Sequence, residues 1–179
     1  MDGTQARLKA LIEKISAQLA EYDKVVDFAM PHELAGPATE AQLAEFERAR
    51  GVVLPEDYRA FLLLHNGWKG FSGDNVLFSL EEMREGEYQR GIQGLQAELR
   101  RTGQTGPGSG LVFEGSLGTR MTYFDLAKPP GPRGPEVVFW DRGEVSRYPD
   151  FTAFLEDYSA TLTEMIEGER NNLRSEQEA

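Results

Sequence analysis

The sequence predicts an α+β fold: a single domain with a mainly antiparallel central sheet, packed by an N-terminal helix, a helix that follows Leu54-Pro55 and a C-terminal helix. Two patterns support this prediction. Apolar residues recur with helical spacing near both ends of the chain, and residues 111–148 read as short β-rich runs separated by glycine and proline. The length of 179 residues suits one domain with a sizeable core.

The composition narrows the classes of partner. With 40% hydrophobic and 27% charged residues the chain resembles an ordinary globular protein. Its formal net charge of -11 disfavours nucleic acid, because affinity for phosphates depends on Lys and Arg, and favours a basic protein partner. The alternative is that the acidity only keeps the protein soluble. The absence of cysteine excludes disulfides, thiolate nucleophiles and Cys-based zinc sites.

The first residues, MDGTQARLKA, lack the basic start and apolar run of a signal peptide. No apolar stretch approaches the roughly 20 residues that a transmembrane helix needs. We therefore expect a cytoplasmic protein without a membrane partner.

The N-terminal segment, residues 1–30, is predicted as an amphipathic helix from Thr4 to about Tyr22. One face of this helix must be buried, either on the domain or on a second copy in a homo-oligomer. The residues of that face are Leu8, Leu11, Ile12, Ile15, Leu19 and Tyr22. Val25, Val26 and Phe28 are expected to continue as an extended piece, and His32 to Ala38 as a loop.

Residues 39–70 contain the strongest local signal, two helices joined by a tight corner. Thr39 and Gln42 are spaced as a capping box, and Gly51 suits the stop of the first helix. Pro55 suits the first position of the second helix. The apolar stripe of that helix is Tyr58, Phe61, Leu62 and His65, and Asn66-Gly67 ends it.

The order of residues in this stretch resembles the hallmark segment of the SUKH superfamily, the Smi/Knr-type domain. The matching residues are Phe46, Glu47, Leu54, Pro55, Asp57, Tyr58, Phe61, Leu62, Asn66 and Gly67. The resemblance implies a small α+β domain, here residues 39–167. In bacteria such domains often serve as immunity proteins that neutralise a toxin, and in fungi a related domain belongs to a cell-wall and signalling regulator.

The remaining elements follow from periodicity and turn residues. A turn is predicted at Phe71–Asn75, a strand at Val76–Leu80, a helix at Glu81–Arg101 and a flexible connection at Arg101–Gly110. Hairpins follow at 111–126, around Gly118, and at 136–148, around Arg142-Gly143, with an exposed loop at Lys128–Pro135 between them. Apolar residues on both faces of Glu136–Asp141 indicate a central strand. A last helix starts at Asp150, and residues 168–179 are predicted as a frayed polar tail.

The sequence shows no catalytic constellation. His32 lies in a loop without a second ligand at metal spacing, and His65 is interpreted as a cap on helix carbonyls. The adjacent acids Glu81-Glu82 and Glu156-Asp157 do not face each other on a helix. We therefore predict no catalytic residues, no metal, no cofactor and no enzymatic activity.

A binding surface is the remaining possibility. The candidate aromatic anchors are Trp68, Phe71 and Trp140, because aromatic side chains beside charges are typical of interface hot spots. The two tryptophans could instead fill the core. Four acids near them could steer a basic partner: Asp74, Glu144, Glu156 and Asp157. Between Asp150 and Glu169 the last helix carries no Lys or Arg.

These observations favour an immunity-type protein that occludes the active site of a basic toxin domain. The alternative is a regulatory or scaffold module that binds a cellular partner. A small hydrolase that uses carboxylates is a third possibility.

Overall fold

A computed structural model of the chain describes residues 3–103, 106–118 and 120–178. The helices in these ranges are α1 (Gly3–Val25), α2 (Glu40–Arg50), α3 (Glu56–Leu64), α4 (Leu80–Arg84), α5 (Glu87–Thr102) and α6 (Phe151–Gln177). The strands are β1 (Glu33–Leu34), β2 (Trp68–Ser72), β3 (Asn75–Leu77), β4 (Leu111–Gly115), β5 (Arg120–Phe124), β6 (Val137–Asp141) and β7 (Glu144–Tyr148). The predicted α+β class is confirmed. No helix in the described ranges is both long enough and apolar enough to cross a bilayer.

The strands form one sheet in sequence order, and each strand is antiparallel to the next. Both predicted hairpins are present: Leu111 of β4 pairs with Phe124 of β5, and Val137 of β6 pairs with Tyr148 of β7. The strand predicted as central, β6, is an interior strand between β5 and β7.

One face of the sheet carries the main core, beneath α3 and α6. The ring of Tyr58 lies at its centre, 5.2 Å from the rings of Phe113 and Phe124 and 5.0 Å from the ring of Phe151. All four side chains are buried. Complete burial of one such side chain contributes about 1.5–3 kcal/mol, so this cluster is the main apolar contribution to stability.

The opposite face is covered by α5. Ile92 and Leu99 of α5 are buried, and the ring of Tyr88 lies 5.0 Å from that of Phe78. The single helix predicted at Glu81–Arg101 is wrong, because Gly86 adopts a positive φ of 112° and separates α4 from α5. Glycine adopts this conformation without the steric cost that a Cβ brings.

The corner between α2 and α3 follows the sequence prediction closely. Thr39 and Gln42 form the capping box, and Gly51 ends α2 with a φ of 64°. Pro55 lies at the N-cap of α3 rather than at its first helical residue. Glu47 of the family motif fixes the corner: one carboxylate oxygen accepts the Leu54 amide at 2.9 Å, and the other lies 2.8 Å from Arg59 Nη1.

The segment after α3 differs from the prediction. The chain forms β2 already from Trp68, and only Gly73 and Asp74 make the predicted turn. β2 pairs with β1, which lies inside the predicted loop at 32–38. β1 has only two residues, so it gives no periodic signal. β3 is shorter than predicted, because Leu80 begins a helix capped by Ser79.

Both ends of the chain are more helical than predicted. Val26 and Phe28 are not extended: their amides bond to Tyr22 and Asp23 carbonyls and finish α1. α6 continues to Gln177, through the segment predicted as a frayed tail. Residues 168–177 are rich in helix-favouring Glu, Arg and Gln, and Arg170 forms an ion pair with Glu21 of α1.

α1 packs within the molecule, on α6 and α3. Gln18 Nε2 donates to the Ser159 carbonyl at 2.9 Å and to Thr163 Oγ1 at 2.8 Å, and Ser159 Oγ donates to Gln18 Oε1 at 2.8 Å. Leu8, Ile12 and Ile15 are buried beside them. The apolar face of α1 is therefore packed largely within this domain.

Candidate partner-binding surface

The three aromatic residues predicted as binding anchors are buried. Trp68 is 0% exposed, Phe71 1% and Trp140 5%, so the expectation that they lie at the surface is wrong. Trp68 and Phe71 belong to β2, and the Phe71 ring packs 4.4 Å from that of Tyr158 on α6. The alternative interpretation of the two tryptophans, a place in the core, describes Trp68 correctly.

Trp140 lies on the sheet face covered by α5. A Cβ on Gly106 would lie 3.0 Å from Leu99 Cδ1 and 3.3 Å from Trp140 Nε1, so backbone and α5 enclose the indole. The connection that the sequence predicted as flexible therefore covers this side chain at Gly106. Residues 104 and 105 of that connection lie outside the described residues.

The four predicted acids are exposed but do not form one patch. Glu156 pairs with Arg7 of α1, and Asp157 accepts a hydrogen bond from Tyr148 Oη at 2.9 Å. Glu144 binds Arg147, which lowers the pKa of the Glu144 carboxyl. Tyr148 and Arg147 are consecutive on β7, so they point to opposite faces of the sheet. The steering role of these acids stays a prediction.

Two buried carboxylates hold the fold together and were not recognised from sequence as core groups. Asp57 Oδ2 accepts the Thr152 amide at 2.8 Å and Thr152 Oγ1 at 3.0 Å, which joins α3 to the first turn of α6. Glu114 accepts hydrogen bonds from Asn75 Nδ2 and Thr122 Oγ1, each at 2.5 Å. Loss of hydration on burial raises the pKa of both carboxyls.

The two histidines occupy different environments. His65 is the C-cap residue of α3, as predicted: its backbone amide donates to the Phe61 carbonyl, and its side-chain Nδ1 lies 3.0 Å from the Ala35 carbonyl oxygen. His32 is half-buried at the edge of a groove described below. The described residues include no group of three or more His, Cys, Asp or Glu that could hold a metal ion.

An open apolar groove of about 450 Å³ lies between the end of α1, the second half of α6 and the β2–β3 turn. We call it the α1–α6 groove. Its lining residues are Leu19, Tyr22, Asp23, Val26, Phe28, Met30, His32, Gly70, Ser72, Gly73, Tyr158, Leu162 and Met165. Leu19 and Leu162 form a buried floor, whereas Phe28 is 65% exposed and Met165 40%. These are the properties of a surface that can receive a partner side chain.

The groove includes Gly70, Ser72 and Gly73, which follow α3 in the chain, but its apolar residues were not predicted from the sequence. The sequence feature that could have indicated the groove is Phe28-Ala29-Met30-Pro31, an apolar run that follows a helix and is ended by proline. It was interpreted as an extended piece of the domain. Periodicity does not reveal whether such a short run is covered by other residues.

Tyr158 links the groove to the core. Its hydroxyl donates to the Phe71 carbonyl oxygen, and burial raises the pKa of Tyr158 to about 12. The ring therefore stays neutral at physiological pH and fixes α6 against β2. This contact holds one wall of the groove in place.

Comparison with known proteins places the central part of the chain in a family. The model of the SMI1/KNR4 family (SUKH-1) matches residues 37–157. The chain is also similar to the uncharacterized protein YnaB of Bacillus subtilis (strain 168), with 43% identity over 49 residues. That similarity spans 27% of this chain and 33% of the relative, so the chain matches only a third of the relative's length.

Proposed function

Because the chain belongs to the SMI1/KNR4 family (SUKH-1), we propose that it is a non-enzymatic protein-binding module that neutralises a basic toxin domain. Immunity to toxins is the role that the family resemblance implies for bacterial members. The mechanism is occlusion: a folded acidic surface docks on the toxin and blocks the path of its substrate. No covalent step is required.

The observation that carries this proposal is the acidic face of α6, which comprises Glu156, Asp157, Glu164 and Glu167. All four are exposed. Their spacing places them on one side of the helix, away from the buried residues Leu155, Leu162 and Ile166. In the described part of the chain, Glu156 alone of the four has an ion-pair partner, Arg7. Negative potential concentrated on one face attracts a basic partner and speeds its association.

The primary experiment is co-expression with the toxin-like reading frame that we expect beside the gene. We expect the two proteins to co-purify and the cells to survive toxin expression. A pair that neither co-purifies nor protects would contradict the proposal, as would a gene neighbourhood without any toxin-like frame. That last result would favour the regulatory or scaffold alternative.

A second measurement tests the acidic face itself. Glu164→Lys combined with Glu167→Lys should slow association with the toxin domain and flatten its dependence on ionic strength. These two positions are preferable to Glu156, because lysine at position 156 would place a second cation beside Arg7. Glu87→Lys, an exposed position on α5 across the sheet, is the matched control. Equal association rates for both variants would remove the steering role.

A further inference from the structure

The α1–α6 groove is built almost entirely outside the part of the chain that matches the family. The matched range is 37–157. Of the lining residues, only Gly70, Ser72 and Gly73 lie inside that range. The remaining ones belong to α1, to the segment after it, and to α6 from Tyr158 onward. A surface that the family part does not supply is suited to recognition that differs between members.

We propose that this groove is the specificity site of the protein and that it receives a partner segment with one bulky apolar side chain flanked by Lys or Arg. This inference rests on the proposed function, because it names the chemistry of the bound partner. The apolar anchor would contact Phe28, Met30 and Met165, and the flanking cations would meet Asp23 at the opening.

The apolar side chains that form the walls of the groove are exposed. Phe28, Met30 and Met165 are 65%, 37% and 40% exposed, and they lie around one opening. Exposed apolar groups that cluster at a concave site are typical of binding surfaces. Methionine side chains adapt their shape to an incoming group, because the thioether chain is unbranched and flexible.

The backbone holds Phe28 in its exposed position. Asp27 adopts a left-handed φ of 50°, and the Phe28 amide bonds to the Asp23 carbonyl at 3.1 Å, the pattern of a Schellman helix end. Further on, a Cβ on Gly70 would collide with the Pro31 carbonyl oxygen, so β2 passes directly against this segment. The segment that forms this wall is therefore fixed at both ends, so it loses less conformational entropy when a partner binds.

The groove carries an unpaired acid in an acidic protein. Asp23 is the acidic residue among those that line the groove, and no ion pair involves it in the described ranges. Next to lining residues in sequence stand the acids Asp27 and Asp74 and the cations Lys24 and Lys69. The carboxylate of Asp23 at an apolar opening, in a chain of net charge -11, complements Lys or Arg that flank an apolar side chain.

The same charges disfavour a second copy of the chain as the occupant. In a twofold-symmetric dimer the same patch meets itself. Asp23 of the two copies would then approach one another, each in a chain of net charge -11, and like charges brought together at an interface oppose association. A basic segment of a different protein has the opposite charge and fits the opening.

The test uses a defined probe, a synthetic peptide of leucine and lysine about four helical turns long with one apolar face. Its binding to the full chain is followed by amide chemical shifts at physiological ionic strength. We expect shifts at residues 23–32, 70–74 and 158–169. Phe28→Ser and Met165→Lys should each weaken binding at least about tenfold. A peptide with glutamate in place of lysine should not bind.

Two control variants separate the groove from general electrostatics. Leu117→Ser removes an equally exposed apolar side chain in the β4–β5 turn, 67% exposed, and Glu87→Lys changes charge on α5. Neither variant should change the dissociation constant for the peptide by more than about twofold. Shifts confined to α6, without any at residues 23–32 and 70–74, or equal affinities for Phe28→Ser and wild type, would overturn the inference. So would a dimer in sedimentation that Phe28→Ser dissolves, because the occupant would then be a second copy.

Failure of the groove assignment can be distinguished from failure of the immunity proposal. If the toxin domain binds wild type, Phe28→Ser and Met165→Lys equally, the immunity proposal stands and the groove assignment fails. If the toxin domain does not bind wild type although the basic peptide occupies the groove, the immunity proposal fails and the groove remains a site for basic apolar segments.

Discussion

The two ends of α6 differ in how they are held. At its start, Phe151 and Leu155 are fully buried, and two buried carboxylates satisfy its first amides. Beyond residue 157 the helix leaves the range that matches the family. There it packs on α1 but leaves Met165 and Leu173 exposed. The family part of the helix is thus built for packing, and the added part presents a surface.

The difference follows from how each end satisfies its polar groups. Asp57 and Asp150 accept the Thr152 and Ala153 amides at 2.8 and 2.7 Å, and Asp150 also pairs with Arg133 at 2.8 Å. The carboxylates of Asp57 and Asp150 are buried, so the loss of either would leave amides at the start of α6 without a partner, which is costly. The second half of α6 contacts water along one side, where substitutions cost little stability. A partner surface can therefore change there without loss of the fold.

The largest expected effect lies in the core beneath the start of α6. Tyr58→Ala should lower the free energy of unfolding by about 3–5 kcal/mol, because it removes a fully buried ring that contacts Phe113, Phe124 and Phe151. Denaturant titration measures this value. Tyr22→Ala, at the half-buried wall of the groove, is the control and should cost markedly less. Equal losses at the two tyrosines would remove the contrast between the two regions.

The buried carboxylate that joins α3 to α6 should give the next largest effect. Asp57→Ala should lower stability by about 1–3 kcal/mol, since it leaves the Thr152 amide and hydroxyl without a partner in the core. Asp57→Asn keeps an acceptor oxygen and should cost less. A thermal midpoint of Asp57→Ala equal to that of the exposed Asp157→Ala would show that the clamp contributes nothing.

Glu114 predicts a pH dependence with a definite sign. Because burial raises the pKa of its carboxyl in the folded state, the folded protein holds the proton more tightly than the unfolded chain. The contribution of Glu114 to stability is therefore full below the unfolded pKa and is lost as pH rises through the raised folded pKa. Glu114→Gln cannot ionise, so its stability relative to wild type should increase as pH rises from the unfolded pKa through the raised folded pKa.

The matched comparison for that series is Glu164→Gln, an exposed acid on α6. Its stability relative to wild type should not change with pH in the same interval. If the Glu114→Gln variant instead lost stability relative to wild type toward high pH, the charged carboxylate would be the favoured form in the core.

The smallest effect on stability is expected in the groove. Phe28→Ser should change the free energy of unfolding by no more than about 0.5 kcal/mol, because the side chain is 65% exposed. Thermal unfolding at matched concentration measures it. A loss comparable to that of Asp57→Ala would show that Phe28 supports the fold and is not free to serve a partner.

The sequence predicted the family part of the fold well, for physical reasons. Caps, stops and apolar stripes are local signals, so the corner from Thr39 to Gly67 and the hairpin turns around Gly118 and Arg142-Gly143 were identified. The family resemblance is confirmed by the match to residues 37–157. β1 and β2 were missed because their pairing joins distant segments and β2 contains Gly70, which interrupts the strand pattern.

The surface was predicted less well than the fold. Burial of Trp68 and Phe71 depends on α6 packing over β2, a tertiary contact that no local pattern contains. The groove also combines α1, α6 and the β2–β3 turn, which are far apart in sequence. Net charge could be counted from the sequence, but which acids are neutralised, such as Glu156 by Arg7, depends on the fold.

The most direct test of the contrast between the two parts of α6 is the dissociation constant for the basic toxin domain that we propose as the partner. It should be measured for wild type, Met165→Lys and Leu117→Ser after their thermal midpoints have been shown to agree. We predict that Met165→Lys weakens binding at least about tenfold and that Leu117→Ser leaves it unchanged. Equal dissociation constants for all three proteins would contradict the assignment of recognition to the α1–α6 groove.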